Sequence, residues 1–162
     1  MKNICIRTIR AGDNQTIASI IKTTLKEFGA NKPGTVYFDP TTDHLFELFS
    51  APDSAYFIAE VDGKIAGGSG VFPTPGLPPG CCELVKLYLL SEMRGQGLGL
   101  MLMEQCFQKA TELGFTEMYL ETMPELRTAI GLYEKAGFSF LPGPMGQSGH
   151  FGCDLWMIRH LH

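Results

Sequence analysis

The stretch Leu84-Val85-Lys86-Leu87-Tyr88-Leu89-Leu90-Ser91-Glu92-Met93-Arg94-Gly95-Gln96-Gly97-Leu98-Gly99 runs directly into the helical pattern Leu100 to Leu113, and the rest of the chain is read outward from it. An apolar strand, a turn with three glycines and a long amphipathic helix follow one another. This order leaves unencumbered backbone N–H groups at the start of a helix, where they can face an anion. The stretch reads as a phosphate cradle.

Different cradles demand different spacings. A P-loop ends in Gly-Lys-[Ser/Thr], but Gly97 is followed by Leu98 and Gly99, so neither lysine nor hydroxyl is available for phosphate and Mg²⁺. A dinucleotide fingerprint needs G-x-G-x-x-G, whereas Leu100 stands where the last glycine belongs, even though Glu121 mimics the ribose-binding acid of that motif.

What remains is Arg94-x-x-Gly97-x-Gly99, which resembles the [Gln/Arg]-x-x-Gly-x-[Gly/Ala] signature of the GNAT superfamily of acyl-CoA-dependent N-acyltransferases. Glu83-Leu-Val-Lys-Leu-Tyr-Leu89 is similar to that family's fourth strand and Met118-Tyr-Leu-Glu-Thr122 to its fifth. Ala129-Ile-Gly-Leu-Tyr133-Glu-Lys-Ala-Gly137-Phe138 is similar to its last helix and following turn. The match spans residues 55 to 141 in the family's order, and the loop together with L-Y-x-x-x-G-F makes it specific.

The resemblance implies a mixed α/β fold over residues 1–162, with antiparallel N-terminal strands and a parallel central pair that splays after Leu89. It implies acetyl-CoA as co-substrate, its pyrophosphate on Arg94, Gly95, Gln96, Gly97, Leu98 and Gly99. The thioester would lie between Leu87, Tyr88 and Leu89 on one strand and Glu121 and Thr122 on the next. The implied activity is direct acetyl transfer, in a ternary complex, to a primary amine of a small molecule, peptide or protein. One departure stands out: many members carry Asn three residues before the alanine matching Ala129, and this chain has Leu126.

The totals agree with a compact enzyme. A chain of 162 residues can bury about 70% of its unfolded surface. A net charge of −4 without a Lys/Arg block argues against nucleic acid and anionic membrane as partners, and suits a cationic substrate somewhat better. Five cysteines without C-x-x-C or metal spacing read as reduced and mostly buried. The N-terminus lacks the apolar run of a signal peptide and no membrane-length apolar segment follows, so the expected compartment is the cytoplasm. Oligomeric state is left open, a homodimer being one option.

In chain order, Ile4 and Ile6 predict an opening strand, and Gly12-Asp13 a break with an N-cap. Ile17, Ile20, Ile21, Leu25 and Phe28 predict a helix stopped by Gly29. Residues 30 to 40 read as an ordered loop in which Tyr37 and Phe38 either border the site or pack the core. Thr42 or Asp43 would cap a short helix through Phe49. Asp62-Gly63 joins two strands, 55–61 and 64–72, and Gly67-Gly68-Ser69-Gly70 suggests a bulge or a close backbone approach. Closing strands are expected at 139–141 and 153–161, around the polar loop 142–150.

Acyl transfer to an amine needs a neutral amine, a stabilised oxyanion and a protonated leaving thiolate. An amine with pKa near ~10.4 costs roughly 4–5 kcal/mol to deprotonate at neutral pH, so a positioned carboxylate is useful. Glu83 shares side-chain parity with Val85, Leu87 and Leu89 and is the candidate base, against the alternative of a strand-end charge in water. By motif position, the resemblance makes Tyr133 the acid that protonates the CoA sulfur; packing alone is the competing account. A backbone N–H at a strand irregularity near Leu89 would meet the oxyanion. His150 either faces the acceptor or is simply solvated. Two other functions fit the same cradle: a non-catalytic acyl-CoA sensor, and a nucleotide-binding interaction module.

Overall fold

The computed structural model describes residues 2 to 161. Seven strands form one sheet in the order β1-β2-β3-β4-β5-β7-β6, with β1 Ile4–Thr8, β2 Ala55–Val61, β3 Lys64–Phe72, β4 Cys81–Leu89, β5 Glu117–Thr122, β6 Ser139–Leu141 and β7 Leu155–His160. Only β4 and β5 pair in parallel, as their connection through a helix requires. The helices are α1 Asn14–Glu27, the single turn α2 Leu45–Leu48, α3 Leu98–Glu112 and α4 Arg127–Lys135.

Alternation along β2 shows why both faces are covered. Tyr56 and Ile58 pack with Ile17, Ile21 and Leu25 of α1, whereas Ala55, Phe57 and Ala59 pack with Leu102, Met103 and Cys106 of α3. At about 25 cal/mol per Å² of apolar surface, each fully buried Leu or Ile in these layers contributes roughly 1.5–3 kcal/mol before chain entropy is set against it. Among the described residues no helix is long and apolar enough to cross a membrane.

Local details differ from the sequence expectations for identifiable reasons. Asp13 stands at the start of α1, but its carboxylate does not cap the helix. It instead accepts from the Arg7 guanidinium at 2.8 and 2.9 Å and from the Arg10 N–H at 2.7 Å. A half-buried guanidinium outcompetes the helix N–H groups, and Arg7 holds Asp13 below the usual carboxylate range. Neither Thr42 nor Asp43 caps the second helix either. Asp39 caps a 3₁₀ turn, Pro40–His44, that leads into α2, while Thr42 donates to the Val36 carbonyl and Asp43 pairs with Lys22.

The glycine run in β3 serves close approach. A Cβ on Gly67 would lie 2.0 Å from the Tyr88 carbonyl oxygen, and one on Gly68 would enter the Tyr56 ring. The bulge belongs to the partner strand: Gly70 pairs with Val85 and Gly68 with Tyr88, so Ser69 alone opposes Lys86 and Leu87. Lys86 takes φ +54°, a left-handed conformation that costs a non-glycine residue of order 1 kcal/mol and concentrates at functional sites.

That bulge corrects the parity argument. Val85 and Tyr88 pack toward α1, but Leu84, Leu87 and Leu89 pack toward α3, so Leu87 and Leu89 do not share a face with Glu83. The splay also begins earlier than Leu89. The parallel ladder runs Cys81↔Glu117, Cys82↔Met118 and Glu83↔Tyr119 and then stops.

Candidate active site

Where β4 and β5 separate, the edge of β4 beyond Glu83 faces a cleft with a volume of about 460 Å³, lined by β4, β5 and the starts of α3 and α4. Such a volume suits a ligand-sized site. Backbone polar groups on that edge have lost their strand neighbour, so they are available to an extended ligand.

One end of the cleft is the turn before α3. Gly95 and Gly97 have φ +78° and +83°, and added Cβ atoms would meet nothing within 4 Å, so these glycines leave the approach clear. Within the described residues, no backbone N–H from Gly95 to Leu100 donates a hydrogen bond; Met101 is the first to do so, to the Gly97 carbonyl. These orphan donors at a helix N-terminus fit a phosphate. Gly99 has a different task, because its Cβ would sit 2.6 Å from Leu132 and separate α3 from α4.

Arg94 anchors this turn. Its Nε and Nη2 donate to the Leu89 carbonyl at 3.1 and 2.9 Å, its other donors reach Glu27 at 2.8 and 3.1 Å, and it stacks on Phe28. Gln96 contributes no side chain to the cleft, since its amide lies near Lys2 and the Glu92 carbonyl.

Leu87, Tyr88, Leu89, Leu98, Gly99, Glu121 and Thr122 all line the cleft. Alternation on β5 splits the last two: Thr122 shares the α3 side with Leu120, while Glu121 shares the opposite side with Tyr119. Thr122 Oγ1 is buried without a hydrogen-bond partner. A buried orphan hydroxyl in the same cleft as a row of orphan backbone donors is what an extended polar ligand would satisfy.

The other end holds the titratable groups. Glu83 is 3% exposed and accepts from Thr74 Oγ1 at 2.5 Å. Burial pushes its carboxyl up to about 7, outweighing the Thr74 hydrogen bond. Tyr133 comes from α4, is buried, and its hydroxyl makes no hydrogen bond among the described residues; burial pushes its phenol up as well. Glu121 accepts from Tyr119 Oη at 2.7 Å and from Ser148 Oγ. His150 lies against Asp39 at 2.7 Å, so the expected alternative of a solvated histidine does not hold. Tyr37 and Phe38 are absent from the cleft wall, although Val36 contributes to it. Leu126 fills the position of the missing asparagine and is buried against the cleft.

The acetyltransferase (GNAT) family model matches residues 18–138. The chain belongs to the GNAT family of acetyltransferases. A GNAT relative in Escherichia coli K-12, the uncharacterised N-acetyltransferase YjgM, is 39% identical over 158 residues, covering 96% of this chain and 94% of that protein. Human N-acetyltransferase 8 is 32% identical over 142 residues, covering 83% of this chain and 60% of its own length. Two solved GNAT structures share the fold. An acetyltransferase from Staphylococcus aureus Mu50 superposes with a TM-score of 0.86 at 16% identity, covering 99% of this chain and all of the other. The PaiA N-acetyltransferase of Thermoplasma acidophilum, in complex with coenzyme A, superposes with a TM-score of 0.73 at 18% identity, covering 98% and 99% of the two chains.

Sequence reasoning missed one residue that lines this GNAT cleft, Lys86, and four that hold its lining side chains. Lys86, Thr74, Asp39, Ser148 and Tyr119 arrive through tertiary contacts, and nothing in their local spacing signals a site. The strand irregularity that could orient an oxyanion donor sits at Lys86 and Leu87, a half-turn of strand before Leu89.

Proposed function

We propose that the chain, acting as one catalytic domain over residues 1 to 162, transfers an acetyl group from acetyl-CoA directly to a primary amine. One observation carries the reading: a buried carboxyl with pKa about 7, Glu83, and an uncommitted phenol, Tyr133, line a single cleft whose other end is a row of free N–H groups.

The Gly95 to Leu100 N–H groups and the positive end of α3 hold the pyrophosphate, each helix-terminus interaction being worth ~0.3–1 kcal/mol when exposed and up to ~2 when partly buried. The free edge of β4 aligns the pantetheine amides, and Thr122 Oγ1 faces the same ligand. Glu83 takes the proton from the ammonium as the amine attacks the thioester carbon. A β4 N–H at the Lys86-Leu87 bulge steadies the oxyanion. The C–N bond forms and the C–S bond breaks as Tyr133 donates its proton to the departing sulfur, and the second proton lost by the attacking nitrogen returns the phenolate to the phenol. Desolvation raises phenol and thiolate together, so the weakened acidity of Tyr133 is matched by a more basic acceptor.

The test is incubation with acetyl-CoA and a broad amine panel, following thiol release and product mass. Amine-dependent release with an acetylated product and intersecting double-reciprocal plots supports direct transfer. Release of CoA without dependence on amine, or binding without turnover, would leave the acyl-CoA sensor.

A further inference from the structure

Lys86 is the strained residue of the β4 bulge, is 8% exposed, and lines the cleft. Among the described residues it forms no salt bridge and donates no side-chain hydrogen bond, although its carbonyl accepts from Tyr56 Oη. A buried ammonium ordinarily has a carboxylate against it.

The acids nearby are each committed elsewhere. Asp39 is held by His150 at 2.7 Å and by the Thr41 hydroxyl and N–H. Glu83 accepts from Thr74, and its raised pKa leaves it partly protonated near neutrality. Glu121 accepts from Tyr119 on one oxygen and from Ser148 on the other. The phosphate turn lies beyond Leu87, Tyr88 and Leu89, roughly 10 Å of strand away at ~3.3 Å per residue, so the anions of CoA are served by other groups.

We propose that Lys86 recognises a carboxylate on the acceptor, making the substrates of this enzyme amino carboxylates: free amino acids or compounds carrying an amine close to a carboxylate. This rests on the reading that the cleft acetylates amines. Glu83 and Lys86 stand on one strand within electrostatic reach of each other, so an acceptor with its amine at Glu83 brings an adjacent carboxylate to Lys86. Burial lowers the Lys86 ammonium's pKa, and Asp39 and Glu83 act on it only electrostatically and oppose that shift, so this single lysine favours a singly charged carboxylate over a phosphate dianion.

The experiment compares kcat/KM for L-amino acids and for their carboxamides, in the parent and in Lys86→Met and Lys86→Arg. Taking the preference as a ratio between variants cancels the different basicities of the two amine sets. The parent is expected to favour carboxylates, Lys86→Met to lose roughly 30-fold or more of that preference, and Lys86→Arg to keep most of it. A measurement without variants covers a Lys86→Met protein that fails to fold: N-acetyl amino acids should compete with the acceptor in the parent, and their carboxamides should compete roughly 30-fold less well. Equal preference in the parent and Lys86→Met, or equal inhibition by the two product analogues, overturns the inference while leaving acetyl transfer intact. Absence of transfer to every amine overturns the proposed function and this inference together.

Discussion

At one end of the cleft the N–H groups of Gly95 to Leu100 come from a single turn and helix start. At the other, Glu83, Lys86, Glu121, His150 and Asp39 arrive from two strands and two loops far apart in the chain. The first end is local, open and backbone-built, its donors supplied by glycine spacing and one anchoring arginine. The second depends on burial and on side chains that hold one another, and its chemistry changes with every loop. A common co-substrate and a variable acceptor are served by these two kinds of construction, and the expected consequences separate them.

The largest effect is expected at Tyr133. Tyr133→Phe keeps the ring against Phe138 while removing the proton, so stability and CoA affinity should hold. Turnover should fall ~10²-fold or more, the usual scale of positioned proton transfer. The fall should persist well above pH 10, because burial raises the phenol beyond its ordinary titration. Parent-rate turnover with a competent acceptor would make the tyrosine structural.

Glu83→Gln tests the acceptor end alone. With an amine titrating near ~10, the parent kcat/KM should level off above the carboxyl's pKa of about 7, whereas the variant should keep rising toward the amine's own titration. The loss, ~10²-fold near pH 7, therefore narrows as pH increases. Stability runs the other way. Glu83 has a folded pKa above its ordinary value of 4.5, so the folded state keeps the proton longer. Its contribution is full below 4.5, falls as pH rises to about 7, and is constant above. Glu83→Gln should remove that decline, up to ~3 kcal/mol, in denaturation measured between pH 5 and 8. A parent profile with no limb near 7 would point to a water chain as base.

Legibility in the sequence divides along the same line. The strand, turn and helix around Gly97 were readable because each is specified by its own residues, and so were the antiparallel β2-β3 hairpin and the parallel β4-β5 pair. The acceptor end was not, because Lys86 is unremarkable in sequence and its φ of +54° is imposed by pairing two residues against Ser69. That one insertion rotates Leu87 and Leu89 away from Glu83, which a strict period of two cannot anticipate. The splay after Glu83 rather than Leu89 is likewise a property of two strands together. His150 acquires its place from Asp39, 111 positions away.

Gly97→Asp probes the other end. Its φ of +83° burdens a side chain, and the open space above it would receive a carboxylate facing the pyrophosphate. Loss of part of the helix-terminus attraction and the new repulsion together should weaken CoA binding about tenfold or more by calorimetry. The pH limb assigned to Glu83 should stay where it is. Unchanged affinity in a folded protein would move the pyrophosphate elsewhere.

The smallest expected effect sharpens the comparison most. Asp39→Asn keeps an oxygen for the Thr41 N–H and hydroxyl but removes the charge opposite His150, the direct side-chain link between loop 30–44 and loop 142–153. A second link survives, since the Gly152 N–H donates to the Gly34 carbonyl at 2.7 Å, so the loops should loosen rather than separate. The pair is only partly buried, and its loss should cost about 1 kcal/mol of stability. Loosening the acceptor wall should raise acceptor KM by about 3–10-fold, the kinetic equivalent of about 1 kcal/mol of uniform binding, with kcat little changed. CoA affinity should stay at the parent value, because every donor on the Gly95 to Leu100 turn is independent of both loops. A matching fall in CoA affinity would mean that the two ends are mechanically coupled, and that the acceptor loops help to set the splay of β4 and β5.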